Sequence, residues 1–306
     1  MRPELTRASH LLRTNSPEAV SEAIALLQDT VFSFSMKMCG HREDAEDTAQ
    51  EVLFSSLKHL HKLEDPSALA AWLYTVTRNR CHRMRGGADA SPSRRLSLDE
   101  LMPDVAGLGQ LLLDTAESPE KSLLHAEEKQ LLHQALLRIP TPLRLVLVLH
   151  DMEDLDTGMV ARILGLQTGT VRVRLHRARL ALRKEIAQLL EKSVPRRDAR
   201  PRSRPARPVA RATVRRPRDC SKIFAELSEY IDGKLDPKAC DKMRKHIEAC
   251  PACVAFLRDL RAAIDRCRSM EVACDPSVTE RLQVMLTREY LRMMGKSAPG
   301  GRKARL

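Results

Sequence analysis

The residues from Thr157 to Lys184 constrain the fold of this chain more tightly than any others. Thr157 can cap a short helix running through Leu164, Gly165 permits a tight turn, and Thr168 can cap a second helix. In that second helix Val171, Leu175, Ala178 and Leu182 recur at helical spacing and form one apolar face. Arg172, Arg179 and Arg183 flank the face on one side, and Arg174, Arg177 and Lys184 on the other. The run contains no acid but seven Lys and Arg residues. Short helix, glycine turn and capped basic helix form a helix-turn-helix, and an apolar back with basic flanks fits a groove lined by phosphates. The plainer alternative is a solvated basic helix packed on its neighbours. Leu180 lies off the apolar face without explanation.

The rest of the chain agrees with an all-α architecture. Aromatic residues make up 3% of the 306, and there are only 12 glycines, a composition poor in what β sandwiches use. Val52, Leu53, Leu57 and Leu60 make one helical stripe. Pro66 opens a further helix, with Leu69, Leu73 and Val76 on one face and Arg78, Arg80, Arg83 and Arg85 at its end, before Gly86-Gly87. Residues 88–119 read as a tether with an apolar patch at Leu108–Leu113, and residues 120–191 as helical again, punctuated by Pro140 and Pro142. No apolar run approaches the ~20 residues that span a bilayer, and no signal-peptide core stands at the N-terminus. A cytoplasmic location is expected.

Charge is unevenly spread. Residues 194–218 hold ten Arg, five Pro and a single acid, about +9 of the net +12 of the whole chain. Such a segment has almost nothing to bury and reads as an extended linker. The basic excess is therefore poor evidence for where nucleic acid would bind.

Two stretches resemble a known family. The stretch from Ile139 to Ile186, with Leu-Gly-Leu at 164–166, Gly169-Thr170-Val171 and Arg177-Ala178-Arg179, resembles region four of bacterial sigma factors of the extracytoplasmic-function group. Its Asp156-Thr157-Gly158-Met159 departs from the usual pattern before the first helix. The stretches EDAEDTAQEVLFSSLKHL and ALAAWLYTVTRNRCHRMR resemble region two of the same group. The resemblance implies that the second helix of the pair reads the minus-thirty-five promoter element. Thr168 and Thr170 stand at its start, Arg172 and Arg174 are the leading base-edge candidates, and Arg177 and Arg179 are phosphate contacts. It also implies that Asp44, Asp47, Gln50 and Glu51 dock on the β′ subunit of RNA polymerase core, and that Arg78, Asn79, Arg80 and Arg83 hold the melted minus-ten strand. Trp72 and Tyr74 are either stacking surfaces there or core residues.

Eight cysteines complete the pattern. Six fall between Cys220 and Cys274, which in a reducing compartment points to metal or redox chemistry rather than disulfides. Cys220, His246, Cys250 and Cys253 form an ordered set suited to one tetrahedral zinc ion. The segment around them, with Tyr230-Ile231-Asp232-Gly233-Lys234-Leu235, resembles the zinc-binding anti-sigma fold. Attached to a sigma factor it implies a regulatory domain in cis, with an intramolecular contact to the sigma domains. A zinc ion serving only to hold a small fold together is the other reading. Cys240, Cys267 and Cys274 are either small buried residues, resolving thiols or a second metal site, whereas Cys39 and Cys81 read as plain helix residues.

The expected organisation is a region-two domain at 16–86, a linker at 87–119, a region-four domain at 120–191, and a basic linker at 192–218. A zinc-binding domain at 219–260 and a C-terminal helix with basic tail at 261–306 follow. The expected function is that of an alternative sigma factor, not an enzyme, since no catalytic constellation is present. The alternative is a helix-turn-helix regulator acting without polymerase.

Overall fold

The structure is a computed structural model. It describes residues 2–14, 16–60, 62–63, 65–84, 121–193, 226–249, 251–270, 272 and 276–295. All regular elements among the described residues are helical: α1 (Pro3–Thr14), α2 (Pro17–Cys39), α3 (Arg42–Leu60), α4 (Pro66–Met84), α5 (Lys121–Arg138) and α6 (Thr141–Leu147). Then follow α7 (Thr157–Leu164), α8 (Thr168–Ser193), α9 (Pro237–Ala249), α10 (Pro251–Arg268) and α11 (Pro276–Met293). A short helical stretch occupies 226–231. The tether and linkers expected at 87–119 and 194–218 lie outside the described residues.

Local chemistry sets the helix ends. Ser16 caps α2 by accepting from the Ala19 N–H at 3.1 Å, with Pro17 pre-set for the first helical position. Asp65 does the same for α4, accepting from Ala68 N–H at 2.8 Å. Pro140 separates α5 from α6 and Pro142 sits in the first turn of α6, where the sequence places its punctuation. Beyond Leu147 the chain runs on through one wider turn at Val148–Met152, closed by the Glu153 N–H donating to the Val148 carbonyl at 2.9 Å. That five-residue ring delivers Glu153 into the interior, as π-type turns often do with functional side chains.

The chain divides into two compact units. The first comprises residues 1–94, 140–171 and 269–306. Its core is built by α2, which packs on α1, α3 and α4 through Leu27, Val31, Phe32 and Phe34, met by Leu53, Leu57, Leu69 and Leu73. Phe34 and Tyr74 add a tilted ring pair 5.2 Å apart. Burying one such side chain contributes ~1.5–3 kcal/mol. Helix α11 lies against α2 and α3, burying Leu282, Leu286 and Tyr290, and Gln283 Nε2 donates to the Ser21 carbonyl at 2.9 Å. The C-terminal helix α11 is thus part of this core. Helix α7 packs on α4 within the same unit.

The second unit comprises residues 95–139 and 172–268. Leu175, Ala178, Leu182 and Ile186 of α8 are buried in it, with Leu257, Leu260 and Ile264 of α10 and Met243 of α9.

Candidate promoter-reading surfaces and zinc module

The helix-turn-helix forms where expected, with two corrections at its caps. Asp156, not Thr157, caps α7: its Oδ1 accepts from the Gly158 and Met159 N–H groups at 2.7 and 2.9 Å. A carboxylate at a helix N-terminus satisfies the free donors and meets the positive end of the dipole, so the sequence departure noted there forms the cap. Thr168 is the first helical residue of α8 rather than its cap, because the Val171 N–H donates to the Gln167 carbonyl at 3.1 Å. Between the helices Gly165 takes φ 64°, and the Leu166 N–H closes on the Ala161 carbonyl at 2.9 Å. A Cβ there would meet nothing within 4 Å, so glycine is required by backbone conformation and not by space.

Helix α8 has two halves. Thr168, Thr170, Arg172 and Arg177 are exposed and Arg174 is partly so, leaving the first turns open to a DNA groove. From Ala178 to Arg183 every residue is buried. Leu180 is therefore explained: this stretch is enclosed on all sides, not only along one stripe. Arg179, expected as a phosphate contact, is correspondingly not on the surface. Its guanidinium has no exposed side-chain area and donates through Nη1 and Nη2 to Asp232, at 3.2 and 2.6 Å. Nη1 also reaches the Ser228 carbonyl at 3.3 Å. Arg183 donates to Asp259 at 3.0 Å and lies 4.8 Å above the Phe256 ring. His176 Nδ1 stands 3.3 Å from Ser228 Oγ. Burial, with Arg179 and Arg177 adding repulsion, lowers the His176 pKa to about 4.

Asp232 reaches Arg179 because of the Tyr-Ile-Asp-Gly sequence around it. Gly233 ends the 226–231 helix in the left-handed region at φ 65°, and the Lys234 N–H closes on the Glu229 carbonyl at 2.8 Å. The turn fixes Asp232 at the helix terminus, while the Tyr230 ring receives Arg261 at 5.8 Å.

On α3, Asp47, Gln50 and Glu51 sit at i, i+3 and i+4 on one face and are exposed, and Asp44 is partly exposed in the first turn. The acidic face expected to dock on polymerase is thus open. On α4, Asn79 and Arg83 are exposed. Arg80 pairs with Glu51. Arg78 donates through Nε and Nη2 to Asn79, and through Nη1 to the Ile163 carbonyl at 2.6 Å. Tyr74 is a core residue: its hydroxyl is buried and donates to Glu153 at 2.7 Å. Burial and the Glu153 carboxylate push its pKa well up. Trp72 stays half-buried beside His59, ring centroids 5.5 Å apart.

Of the zinc ligand set, His246 is half-buried on the last turn of α9 and Cys253 is the third residue of α10. Cys220 and Cys250 lie outside the described residues, as do Cys274 and the side chain of Cys253. Helix α9 thus ends just before Pro251 opens α10, and the residue types of the set, three thiols and one imidazole, suit a tetrahedral zinc ion. Cys267 is fully buried, in keeping with a small core residue, and Cys240 is half-buried. Cys39 and Cys81 are buried neighbours on α2 and α4, and the hydrogen bond between the two thiols, with burial, pushes the Cys81 thiol well up, which makes it a poor nucleophile. Nothing local in the sequence marks Asp259 or Glu153 as inward-facing. Only Asp232 carried a signal, as part of the anti-sigma-like fingerprint.

Three family profiles match the chain: "Sigma-70 region 2" at residues 23–89, "Sigma-70, region 4" at 129–182 and "Putative zinc-finger" at 220–253. It is similar to the ECF RNA polymerase sigma factor SigW of Bacillus subtilis, 24% identical over 58% of this chain and 94% of that protein. It is also similar to the RNA polymerase sigma-H factor of Pseudomonas aeruginosa, 28% identical over 54% of this chain and 85% of that protein. The ECF RNA polymerase sigma-E factor of Escherichia coli is 25% identical over 49% and 77%. No helix among the described residues is long and apolar enough to cross a membrane. The chain thus carries matches to sigma-70 regions two and four, in that order, with a zinc-finger domain match behind them.

Proposed function

We infer that this protein is an alternative sigma factor of the extracytoplasmic-function type whose zinc module restrains it in cis. The single observation that carries the first part is that both family regions keep a working face open. Asp47 and Gln50 on α3 are exposed toward the polymerase β′ subunit, with Glu51 beside them held by Arg80, and Thr168, Thr170 and Arg177 on α8 are exposed toward the major groove, with Arg172 paired to Glu229 at 3.8 Å. Arg172 and Arg174 read base edges, and Arg177 holds phosphate. Arg78, Asn79, Arg80 and Arg83 on α4 hold the melted strand of the minus-ten element. The protein works in the cytoplasm, and like other members of its family it directs initiation without catalysing chemistry itself.

The restraint is supported by Arg179–Asp232 and Arg183–Asp259, which tie two arginines of the reading helix to one acid within the zinc-finger match and to one on α10, just beyond it. Each such pair withdraws a positive charge from the phosphates that α8 would neutralise. One zinc ion held by Cys220, His246, Cys250 and Cys253 would keep the module folded, its role there being structural cross-linking. Whatever removes the metal or oxidises the thiolates would free both arginines.

Run-off transcription with core polymerase tests the function. Site-specific initiation by the added chain is expected. A helix-turn-helix regulator would bind duplex DNA yet never direct initiation, and that outcome would reject the sigma reading.

A further inference from the structure

A second constraint is independent of the zinc module and lies wholly within the first unit. Glu153 has no exposed side-chain surface and belongs to the region-four match. Its Oε1 takes the Lys37 ammonium at 2.8 Å, and that ammonium is equally buried. Its Oε2 takes the Tyr74 hydroxyl at 2.7 Å and Arg2 Nε at 2.8 Å. Lys37 and Tyr74 belong to the region-two match, on α2 and α4. Arg2 Nη2 also donates to the Met152 carbonyl at 3.2 Å. A buried carboxylate is costly to remove from water unless it is paired and hydrogen-bonded, and every strong partner named here comes from outside region four. Close by, Arg78 of region two donates to the carbonyl of Ile163 in α7.

The geometry points to a closed form. We propose that Glu153 bolts region four onto region two, and that the bolt must open before the two promoter elements can be held together. The proposal rests on the two-element reading above, and a length comparison carries it. Elements named minus-ten and minus-thirty-five lie about 25 base pairs apart, ~85 Å at 3.4 Å per pair. Arg78, assigned to the first element, is in hydrogen-bond contact with α7, the helix directly before the reader of the second. No side-chain rearrangement bridges a gap of that size, so the two regions have to separate. The chain between Met84 and Lys121 permits this, because extended it spans up to ~120 Å. In the closed form Arg78 is also occupied by a protein carbonyl. The acidic face of α3, in contrast, stays exposed, so polymerase can dock before the bolt opens.

Distance measurement between probes incorporated at Lys58 on α3 and Arg162 on α7, both exposed, tests this on the full-length protein. The free protein is expected to give one short distance. Core polymerase with fork-junction promoter DNA is expected to lengthen it by tens of ångströms. Glu153→Gln should populate the long distance without any DNA, and should tighten promoter binding by the holoenzyme severalfold. Tyr74→Phe, which removes a single hydroxyl, should do so partially and serves as the deciding variant if Glu153→Gln fails to fold by circular dichroism. A long distance in the free wild-type protein, a short one retained on the promoter, or folded variants with an unchanged distribution would each overturn the proposal. Failure to initiate transcription while the distances behave as stated would instead reject the sigma reading and leave the bolt standing.

Discussion

At the scale of single residues, the buried charges decide more than their number suggests. Asp232→Ala would leave Arg179 uncompensated in a closed interior, a loss on the order of 3–5 kcal/mol for a broken buried pair. The chain can escape that cost by releasing the module. The expected result is therefore a lower melting temperature together with tighter binding of promoter DNA, measured by calorimetry and fluorescence anisotropy. Unchanged DNA binding in a destabilised variant would mean that Arg179 has no part in phosphate contact. His176 gives a pH signature. Its pKa is lowered to about 4 in the folded chain against 6.5 for a free side chain, so the unfolded state binds more protons between those values. The stability it contributes is complete above pH 6.5 and is lost as pH falls toward 4, by at most about 3 kcal/mol. Denaturant titrations of wild type and His176→Gln should converge across that window. Parallel curves would contradict the assignment.

At the scale of elements, α8 shows what the sequence discloses and what it hides. Its apolar stripe, its glycine turn and its open basic start were all legible, because period and turn chemistry are local properties. Two predictions follow from the open half. Arg172→Ala or Arg174→Ala should cost about 1–3 kcal/mol and relax base preference at one position, whereas Arg177→Ala should weaken all sequences alike and reduce the salt slope by about one. Selection from a randomised duplex pool and binding at several salt concentrations separate the two behaviours. The buried half was not legible. Arg179 looks the same as Arg177 along the sequence, and only Asp232, 53 residues further on, makes it different. Glu153 was hidden for the same reason, within the acidic run Asp151-Met152-Glu153-Asp154, where nothing local marks which acid turns inward. The Asp156 cap was nearer to reach, since Asp ranks above Thr as an N-cap residue and stands directly before Thr157.

At the scale of the whole molecule, the sequence set out three functional segments in order, and family resemblance to regions two and four assigned the first two. What it could not give was the set of long-range ion pairs on which the proposed restraint rests. Metal removal should expose that restraint. Chelation of the purified protein is expected to lower helix content and raise transcription in the same range of chelator, and readdition of zinc to reverse both. Activity that falls with chelation would mean that the module supports the sigma core rather than restrains it. The most direct measurement of the central claim is run-off transcription by core polymerase with the full chain and with a Cys250→Ser, Cys253→Ser variant, which disrupts the zinc module and keeps α11 in the core of the first unit. The account predicts promoter-specific initiation by both, stronger from the variant. Absence of initiation from either, with both chains folded and bound to core, would contradict it.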